Sequence, residues 1–327
     1  MRVTVLGAGV MGLACAVVLA EQGATVEVLD RAEKLGAECC SWYAGGMLAP
    51  WCELATSEPL IGELGSESMA WWREKLPGTA TNGTLVVAHS RDAPELTEFA
   101  RRAEHFESID RDAIAALEPD LSERFNKALF FREEAHLDPR SALAALASRL
   151  RDLDVPLRFG ATTSAVGSPN HCVVNCTGLA AREVLKELRG VRGEMLILRS
   201  REISLSRPVR VLHPRIPLYV VPRGDGLFMV GATMIESDQA NAITARSMLE
   251  LLSAAYALHP AFGEAEIVEA GVGVRPAFPD NLPRIGWHDG VLYVNGLFRH
   301  GFLLAPALAR RVAAIVLNDR QFLAGTT

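Results

Sequence analysis

The chain opens with MRVTVLGAGVMGLACAVVLAEQGATVEVLDRAEKLG, residues 1–36, in which three glycines separate two apolar stretches. Residues 3–6 form a short apolar run that predicts a buried strand, and residues 10–22 carry apolar side chains at helical spacing. A second, largely apolar run over residues 25–29 ends at Asp30. This order of strand, glycine turn, helix, strand and terminal acid is typical of a unit that binds a dinucleotide.

The three glycines each have a separate purpose in such a unit. Gly7 permits the tight turn, Gly9 lets the backbone approach a pyrophosphate, and Gly12 lets the helix lie close against the sheet. The helix N-terminus offers N–H groups and a partial positive charge to the phosphates, and Asp30 would accept hydrogen bonds from a ribose. The motif alone leaves NAD, NADP and FAD open as the ligand.

Length and composition exclude several classes of protein. A chain of 327 residues, 49% of them hydrophobic, allows two domains or one domain with a large insertion. Lysine and arginine form no block that could follow a nucleic-acid backbone, so no nucleic-acid partner is expected. No apolar run reaches the length of a membrane span. Because the first residues already predict a strand, we expect no signal peptide and predict a cytoplasmic location.

The six cysteines indicate neither a disulfide framework nor a metal site. They form no CxxC pair and lack the histidine spacing of a zinc site, so no metal is predicted. Cys172 and Cys176 alternate with Val174 along one predicted strand and are expected to face the same buried side. We expect all six thiols to be reduced.

Helices and strands alternate in the first half of the chain, whereas strands dominate from residue 190. The predicted helices after the opening unit are residues 63–75, 93–105, 111–117, 138–153, 179–188 and 245–258. Residues 217–231 predict an antiparallel hairpin whose turn is Gly224-Asp225-Gly226. Residues 290–317 predict a strand, a glycine-bounded loop and a helix, which would be a further element of the nucleotide domain.

These patterns predict an α/β (α+β) fold with two interleaved domains. A Rossmann-like dinucleotide-binding domain would be assembled from the discontinuous segments 1–80, 136–189 and 270–327. A substrate-binding domain with an antiparallel β-sheet would be formed by residues 81–135 and 190–269.

Six short motifs, spread in order over nearly the whole chain, resemble one family of flavoenzymes. They are AGGMLAP (44–50), VRGEML (191–196), LYVVPR (218–223), VGATM (230–234), GVRP (273–276) and FRHGFLLAP (298–306). The chain thereby resembles the glycine oxidase and D-amino-acid oxidase (DAO) family, and within it the glycine oxidases of thiamine biosynthesis. It differs from the family before AGGMLAP, where Ser41-Trp42-Tyr43 replaces the expected run of small residues at the flavin entrance.

The resemblance implies that the ligand is FAD. Gly45, Gly46 and Met47 would lie behind the flavin, Asp30 would bind the adenosine ribose, and the N-terminus of the last helix would hold the negative charge of reduced flavin. The full set of implied cofactor-binding residues is Gly7, Gly9, Val10, Met11, Gly12, Asp30, Arg31, Cys40, Ser41, Gly45, Gly46, Met47, Leu297, Phe298, Arg299, His300, Gly301, Phe302 and Leu303. Related sarcosine oxidases often tether flavin through a cysteine after the arginine-proline motif. Since Ala277 follows Pro276 here, non-covalent FAD is expected.

The resemblance also implies a substrate site for a small amino acid. A guanidinium can pair with a carboxylate through two parallel hydrogen bonds, and an arginine with no acidic neighbour in sequence needs an anion. Arg275 would be the main carboxylate clamp, Arg299 would support it beside the flavin, and the Tyr219 hydroxyl would bond the same carboxylate. Met234 would line the pocket.

The expected reaction needs no general base, since a neutral amine can release its α-hydrogen as a hydride to FAD. Oxygen would then give hydrogen peroxide, and the imine would hydrolyse to glyoxylate and ammonia or pass to thiazole-synthesis enzymes. The resemblance implies a homo-oligomer. Two enzyme alternatives stay open, a D-amino-acid dehydrogenase that reduces a carrier and a D-amino-acid oxidase. A nucleotide-binding scaffold without turnover is the third.

Overall fold

The computed structural model describes residues 1–36, 38–162 and 170–318. Its strands, in chain order, are β1 (Arg2–Leu6), β2 (Thr25–Leu29), β3 (Met47–Leu48), β4 (Thr84–Ala88), β5 (Glu107–Asp110), β6 (Lys127–Phe131), β7 (Ala135–His136), β8 (Leu157–Arg158), β9 (His171–Asn175), β10 (Arg189–Arg199), β11 (Val209–Leu212), β12 (Leu218–Gly224), β13 (Leu227–Gly231), β14 (Ile235–Glu236), β15 (Glu266–Ala277), β16 (Arg284–His288) and β17 (Val291–Asn295). Its α-helices are α1 (Val10–Glu21), α2 (Pro50–Leu54), α3 (Pro59–Lys75), α4 (Ala93–Arg102), α5 (Arg111–Leu117), α6 (Pro139–Asp152), α7 (Ala245–Leu258) and α8 (Gly301–Asn318).

The first sheet has the strand order β16-β17-β9-β1-β2-β8 and is parallel except for the antiparallel pair β16–β17. Val3 and Val5 of β1 and the alternate residues of β2 and β9 share one core with α1, α6 and α8. Ten consecutive residues of α1 are buried, because this helix lies between the sheet and α8. The predicted strand–turn–helix–strand unit is confirmed, and the C-terminal strand and helix join it as expected.

The second sheet has the order β14-β10-β13-β12-β11-β4-β6-β5, and β15 pairs with β10. Its strands pair antiparallel except β4 and β11, which run parallel to each other. The hairpin β12–β13 confirms the predicted turn at residues 224–226. The predicted domain boundary at residue 270 falls inside β15, and the division of the chain into domains stays a prediction.

The predicted helix over residues 179–188 is wrong. The structure has a 3₁₀ helix at Gly178–Glu183 instead, and the chain enters β10 at Arg189. Leu185 and Leu188 pack with Phe278 and Tyr293 in a small separate core, so tertiary packing overrides the helical spacing of this short connection. The predicted helices over residues 111–117 and 245–258 have their expected bounds.

All six cysteines are free thiols, as predicted, and Cys172 and Cys176 are both buried. Within residues 1–36, 38–162 and 170–318, no group of three His, Cys, Asp or Glu side chains could hold a metal ion. No helix in the same ranges is both long and apolar enough to cross a bilayer.

Candidate functional site

The glycine turn between β1 and α1 has the geometry that a pyrophosphate needs. Gly7 adopts φ +100°, and a Cβ placed there would lie 2.8 Å from the carbonyl oxygen of Cys176. A Cβ on Gly12 would lie 1.8 Å from the carbonyl oxygen of Gly7, so only glycine lets α1 approach the turn this closely. A Cβ on Gly9 would meet only Ser41 Oγ, at 3.4 Å, so the backbone at this position is accessible.

The other residues predicted to bind the cofactor near this turn lie at the start of α1 and directly after β2. Asp30, at the end of β2, accepts hydrogen bonds from the backbone N–H of Ala8 at 2.5 Å and of Ala32 at 2.8 Å, so its carboxylate is fixed beside the turn. The Val10 N–H donates to Ser41 Oγ at 3.2 Å. Met11 is buried in the core, so only its backbone could serve a cofactor, and Arg31 is exposed.

The loop that carries AGGMLAP lies between the two sheets. A Cβ on Gly45 would lie 2.7 Å from Cε2 of Tyr219, and one on Gly46, at φ +71°, would lie 2.2 Å from the Leu137 carbonyl oxygen. Arg223, on β12, donates to the carbonyl oxygens of Ala44 and Gly45 at 3.2 and 2.8 Å. This arginine ends the LYVVPR motif, but the sequence alone indicated no role for it; it fixes the loop.

Trp42 and Tyr43 lie in a 3₁₀ helix, Cys40–Tyr43, directly before this loop. The Arg140 guanidinium lies 4.7 Å from the centre of the Trp42 ring and forms two hydrogen bonds to Glu269, at 2.9 and 2.7 Å. Tyr43 packs on Gly271, where a Cβ would lie 2.4 Å from Cδ1 of its ring. Cys40 lies beside Gly273, 3.3 Å from a Cβ placed there. The large side chains therefore link α6 to β15.

The N-terminus of α8 completes this region. The segment 297–303 contains the first turn of α8, and the Leu304 N–H makes a helical hydrogen bond to the His300 carbonyl at 2.9 Å. The first N–H groups of a helix lack intrahelical acceptors and carry partial positive charge. Leu297 is buried, and Phe298, at φ +49°, turns the chain into the helix. The Trp72 indole donates to the Phe302 carbonyl at 2.7 Å and fixes this end.

One cleft of about 880 Å³, including its open mouth, brings many of the predicted residues together. Those that line it are Gly45, Gly46, Met47, Tyr219, Met234, Arg275, Arg299, His300, Gly301, Phe302 and Leu303. The glycine turn, Asp30, Arg31, Cys40, Ser41, Leu297 and Phe298 do not line this cleft. The residues predicted to bind substrate, and most of those predicted to contact the flavin, thus line a single cleft. The residues predicted to bind the nucleotide part of the cofactor lie in the turn after β1 and directly after β2.

Arg275, on β15, has no acidic partner among the described residues. Its Nη1 donates to the Thr233 carbonyl at 3.1 Å, and no carboxylate of the described chain lies within 4 Å of the guanidinium. Gly193 on the neighbouring strand makes room for it, because a Cβ there would lie 2.2 Å from Nη2. A cation that is half-buried and unpaired is suited to bind an anion.

Tyr219, on β12, lines the same cleft. Burial raises the pKa of its phenol, while the nearby Arg275 guanidinium lowers it. The net shift is upward, so the hydroxyl stays protonated and can donate a hydrogen bond.

Arg299, which has no acidic neighbour in sequence, pairs with a carboxylate from a distant part of the chain. Its Nη2 lies 2.7 Å from Glu53 Oε2 and donates to Thr56 Oγ1 at 2.7 Å and Ser57 Oγ at 3.2 Å. Glu53 is remote in sequence, so reasoning from sequence neighbours could not find this ion pair. Arg299 lines the cleft, but it is already paired with Glu53, which it shares with Arg210.

Glu53, on α2, is the residue that sequence analysis missed. Besides Arg299 it contacts Arg210 Nη1 at 3.1 Å and His300 Nε2 at 2.8 Å. Burial raises the pKa of Glu53, but Arg299 and Arg210 together hold it well below its usual range. Burial also lowers the pKa of His300, whose Nδ1 has no hydrogen-bond partner among the described residues. The only sequence signal was the position of Glu53 just after AGGMLAP.

Comparisons with known proteins show the family and the fold of the chain. Residues 2–315 match the family model described as DAO, FAD dependent oxidoreductase. A Rhizobium etli protein assigned to thiamine biosynthesis as the oxidoreductase ThiO is 56% identical over 321 residues, 98% of each chain. A glycine oxidase of Bacillus licheniformis is 27% identical over 96% of this chain and 92% of its own. The crystal structure of glycine oxidase from Geobacillus kaustophilus matches with a TM-score of 0.82 at 23% identity, over 97% of this chain and 95% of that one.

Proposed function

Because the chain belongs to the DAO family of FAD-dependent oxidoreductases, we propose that it is an oxidase of glycine, with sarcosine and D-alanine as further candidate substrates. FAD, when bound, would supply the redox chemistry, a two-electron oxidation at the α-carbon with oxygen as the final acceptor and hydrogen peroxide as its product. The amino acid becomes an imine, which water converts to glyoxylate and ammonia. The observation that carries the proposal is the unpaired Arg275 in the cleft formed by Gly45, Gly46 and the N-terminus of α8.

The protein binds and orients the substrate in this proposal. Arg275 pairs with the carboxylate through two N–H groups, and the protonated Tyr219 hydroxyl donates to the same group. No side chain is assigned as a general base.

The cofactor is held by two separate parts of the chain in this proposal. The turn at Gly7, Gly9 and Gly12, with the backbone of Val10 and Met11, takes the pyrophosphate, and Asp30 takes the ribose. Cys40, Ser41, Gly45–Met47 and residues 297–303 would surround the flavin, and the N-terminus of α8 would stabilise negative charge on it. Since Ala277 follows Pro276, we infer that FAD is bound without a covalent tether.

The imine also supplies a thiazole-forming enzyme of thiamine biosynthesis in this proposal. Support comes from the assignment of the 56% identical Rhizobium etli relative to that pathway. Homo-oligomerisation and the cytoplasmic location stay predictions, as do the domains 1–80, 136–189 and 270–327 for FAD and 81–135 and 190–269 for substrate.

The test is a visible spectrum of purified protein before and after anaerobic addition of glycine. The proposal expects a flavin band that bleaches with glycine and returns with oxygen, with one hydrogen peroxide formed per flavin reoxidised. The Arg275→Gln variant should keep the flavin band but resist bleaching at the same glycine concentration. A colourless protein that binds NAD would contradict the cofactor assignment, and dye reduction without peroxide would indicate a dehydrogenase.

A further inference from the structure

Glu53 holds three basic side chains at one wall of the cleft. Oε1 lies 3.1 Å from Arg210 Nη1, and Oε2 lies 2.7 Å from Arg299 Nη2 and 2.8 Å from His300 Nε2. The Glu53 side chain is only 16% exposed. Water therefore screens these contacts weakly, and the pairing of the charges matters more than it would on the surface.

The two arginines that line the cleft differ in what they can offer a ligand. The Nη2 of Arg299 is taken by Glu53 and by the hydroxyls of Thr56 and Ser57, at 2.7 and 3.2 Å. Arg275 donates to a backbone carbonyl at 3.1 Å and, within the described chain, has no carboxylate within 4 Å. Arg275 is therefore available to a ligand, whereas Arg299 is already paired with a carboxylate that it shares with Arg210.

We propose that Glu53 is a specificity-determining residue that restricts the cleft to substrates with a single carboxylate, an inference that rests on the proposed function. A second carboxylate could reach Arg299 Nη2 only by displacing Glu53, and the buried Glu53 would then keep Arg210 as its only guanidinium partner. Otherwise the second carboxylate would meet the negative charge of Glu53 directly. Both arrangements make the binding of a dicarboxylate less favourable. Glu53 would thus provide specificity by repelling the wrong ligand.

Glu53 remains ionised at neutral pH, so it excludes anions under working conditions. Although burial raises the pKa of this carboxyl, Arg299 and Arg210 lower it well below the usual range. Replacing it with glutamine removes the charge and keeps the shape. Arg299 would then be a second cation that is free to bind.

Acetate and malonate test this inference, because they differ by one carboxylate and carry no amine that could be oxidised. Their dissociation constants are measured on the FAD-loaded protein from the change in flavin absorbance. Wild type should bind malonate no tighter than acetate. Glu53→Gln should tighten malonate relative to acetate by roughly tenfold or more. The double variant E53Q/R299Q should lose that gain, and Glu53→Asp, which restores the charge, should show a smaller gain than Glu53→Gln.

Arg299→Gln decides the matter if Glu53→Gln does not fold. Since Arg299 is not available to ligands in the wild type, and since its removal leaves less positive charge around Glu53, the affinity for malonate relative to acetate should stay the same or fall in this variant, and should not rise. A wild type that binds malonate tighter than acetate and loses this preference in Arg299→Gln would show that Arg299 already takes a carboxylate, and the inference would be wrong. An unchanged ratio in a folded Glu53→Gln protein would also overturn it.

Failure of the proposed function gives a different result. In that case acetate would not perturb the wild-type flavin, or Arg275→Gln would leave acetate affinity unchanged. If acetate binding depends on Arg275 but the ratio of malonate to acetate affinity is the same with and without the Glu53 carboxylate, the inference is wrong and the proposed function stands.

Discussion

At the level of single residues, the chemistry of the cleft depends on which acid each arginine can reach. Arg299 reaches Glu53 at 2.7 Å, whereas Arg275 finds only the Thr233 carbonyl at 3.1 Å. Two arginines at similar positions beside one cleft thereby acquire different uses, one in the protein's own ion-pair network and one for a ligand.

The Tyr219 hydroxyl is the simplest residue to test. In Tyr219→Phe we expect the KM for glycine to rise about three- to tenfold, because one neutral donor to a carboxylate is lost, with a smaller effect on kcat. Steady-state peroxide release at several glycine concentrations measures both constants. The matched control is Tyr256→Phe on the exposed face of α7, which should change neither. An unaltered KM in Tyr219→Phe would remove this hydroxyl from the substrate site.

The buried carboxyl of Glu134 predicts a pH-dependent stability. It accepts a hydrogen bond from the Cys52 N–H at 2.7 Å, and burial raises its pKa to about 8. The folded state therefore binds a proton more tightly than the unfolded chain, whose carboxyl titrates at about 4.3. Its contribution to stability is complete below that value and is lost as the pH rises to about 8.

The Glu134→Gln variant should remove this dependence, because the amide can still accept from Cys52 and does not ionise. We expect its melting temperature relative to wild type to increase between about pH 5 and pH 8, and to level off above about pH 8. Thermal melts in buffers of equal ionic strength measure the difference. Parallel melting curves at every pH would show that Glu134 does not titrate in this range.

At the level of secondary-structure elements, the glycine turn shows what the sequence can predict. The strand, the turn, α1 and β2 follow one another within 30 residues, so local spacing determines how they pack. The closeness of α1 to the turn is seen at Gly12, where a Cβ would lie 1.8 Å from the Gly7 carbonyl oxygen.

In Gly12→Ala we therefore expect the free energy of unfolding to fall by about 3 kcal/mol or more, since backbone cannot yield as a flexible side chain can. FAD should be lost on gel filtration. The control is Gly78→Ala, where no atom lies within 4 Å of the new methyl group, and there we expect almost no change. Chemical denaturation of both variants compares them. A Gly12→Ala protein as stable as Gly78→Ala would mean that α1 does not approach the turn this closely.

The elements that sequence analysis could not predict depend on contacts between distant residues. Glu53 joins α2 to Arg210 on β11 and to His300 before α8, and no local pattern encodes these contacts. The segment 179–188 has helical spacing, yet Leu185 and Leu188 are drawn into a core with Phe278 and Tyr293. Motifs predicted Arg275 and Tyr219 because they occur inside the GVRP and LYVVPR runs. The pairing of Arg299 with Glu53 could be found only from the folded structure, because the two residues are far apart in sequence.

At the level of the whole molecule, the residues proposed to hold FAD come from remote parts of the chain. They lie in residues 7–12, 40–47 and 297–303, and the middle segment also packs on the second sheet through Tyr219 and Gly273. A cofactor bound there contacts both sheets, so it should stabilise the protein as a unit.

Removal of FAD should therefore lower the melting temperature in a concentration-dependent way. A ligand that binds only the folded state at about 100 times its dissociation constant contributes about 2.7 kcal/mol, which for a chain of this size corresponds to roughly 5 °C. When protein stripped of FAD is titrated with FAD, its melting temperature should rise steadily with the FAD concentration. The same titration with NAD should leave the melting temperature unchanged. Because Arg275 binds substrate and not cofactor in our proposal, Arg275→Gln should show the same FAD dependence as wild type. A melting temperature that does not change with FAD concentration would mean that the cofactor does not contact both sheets.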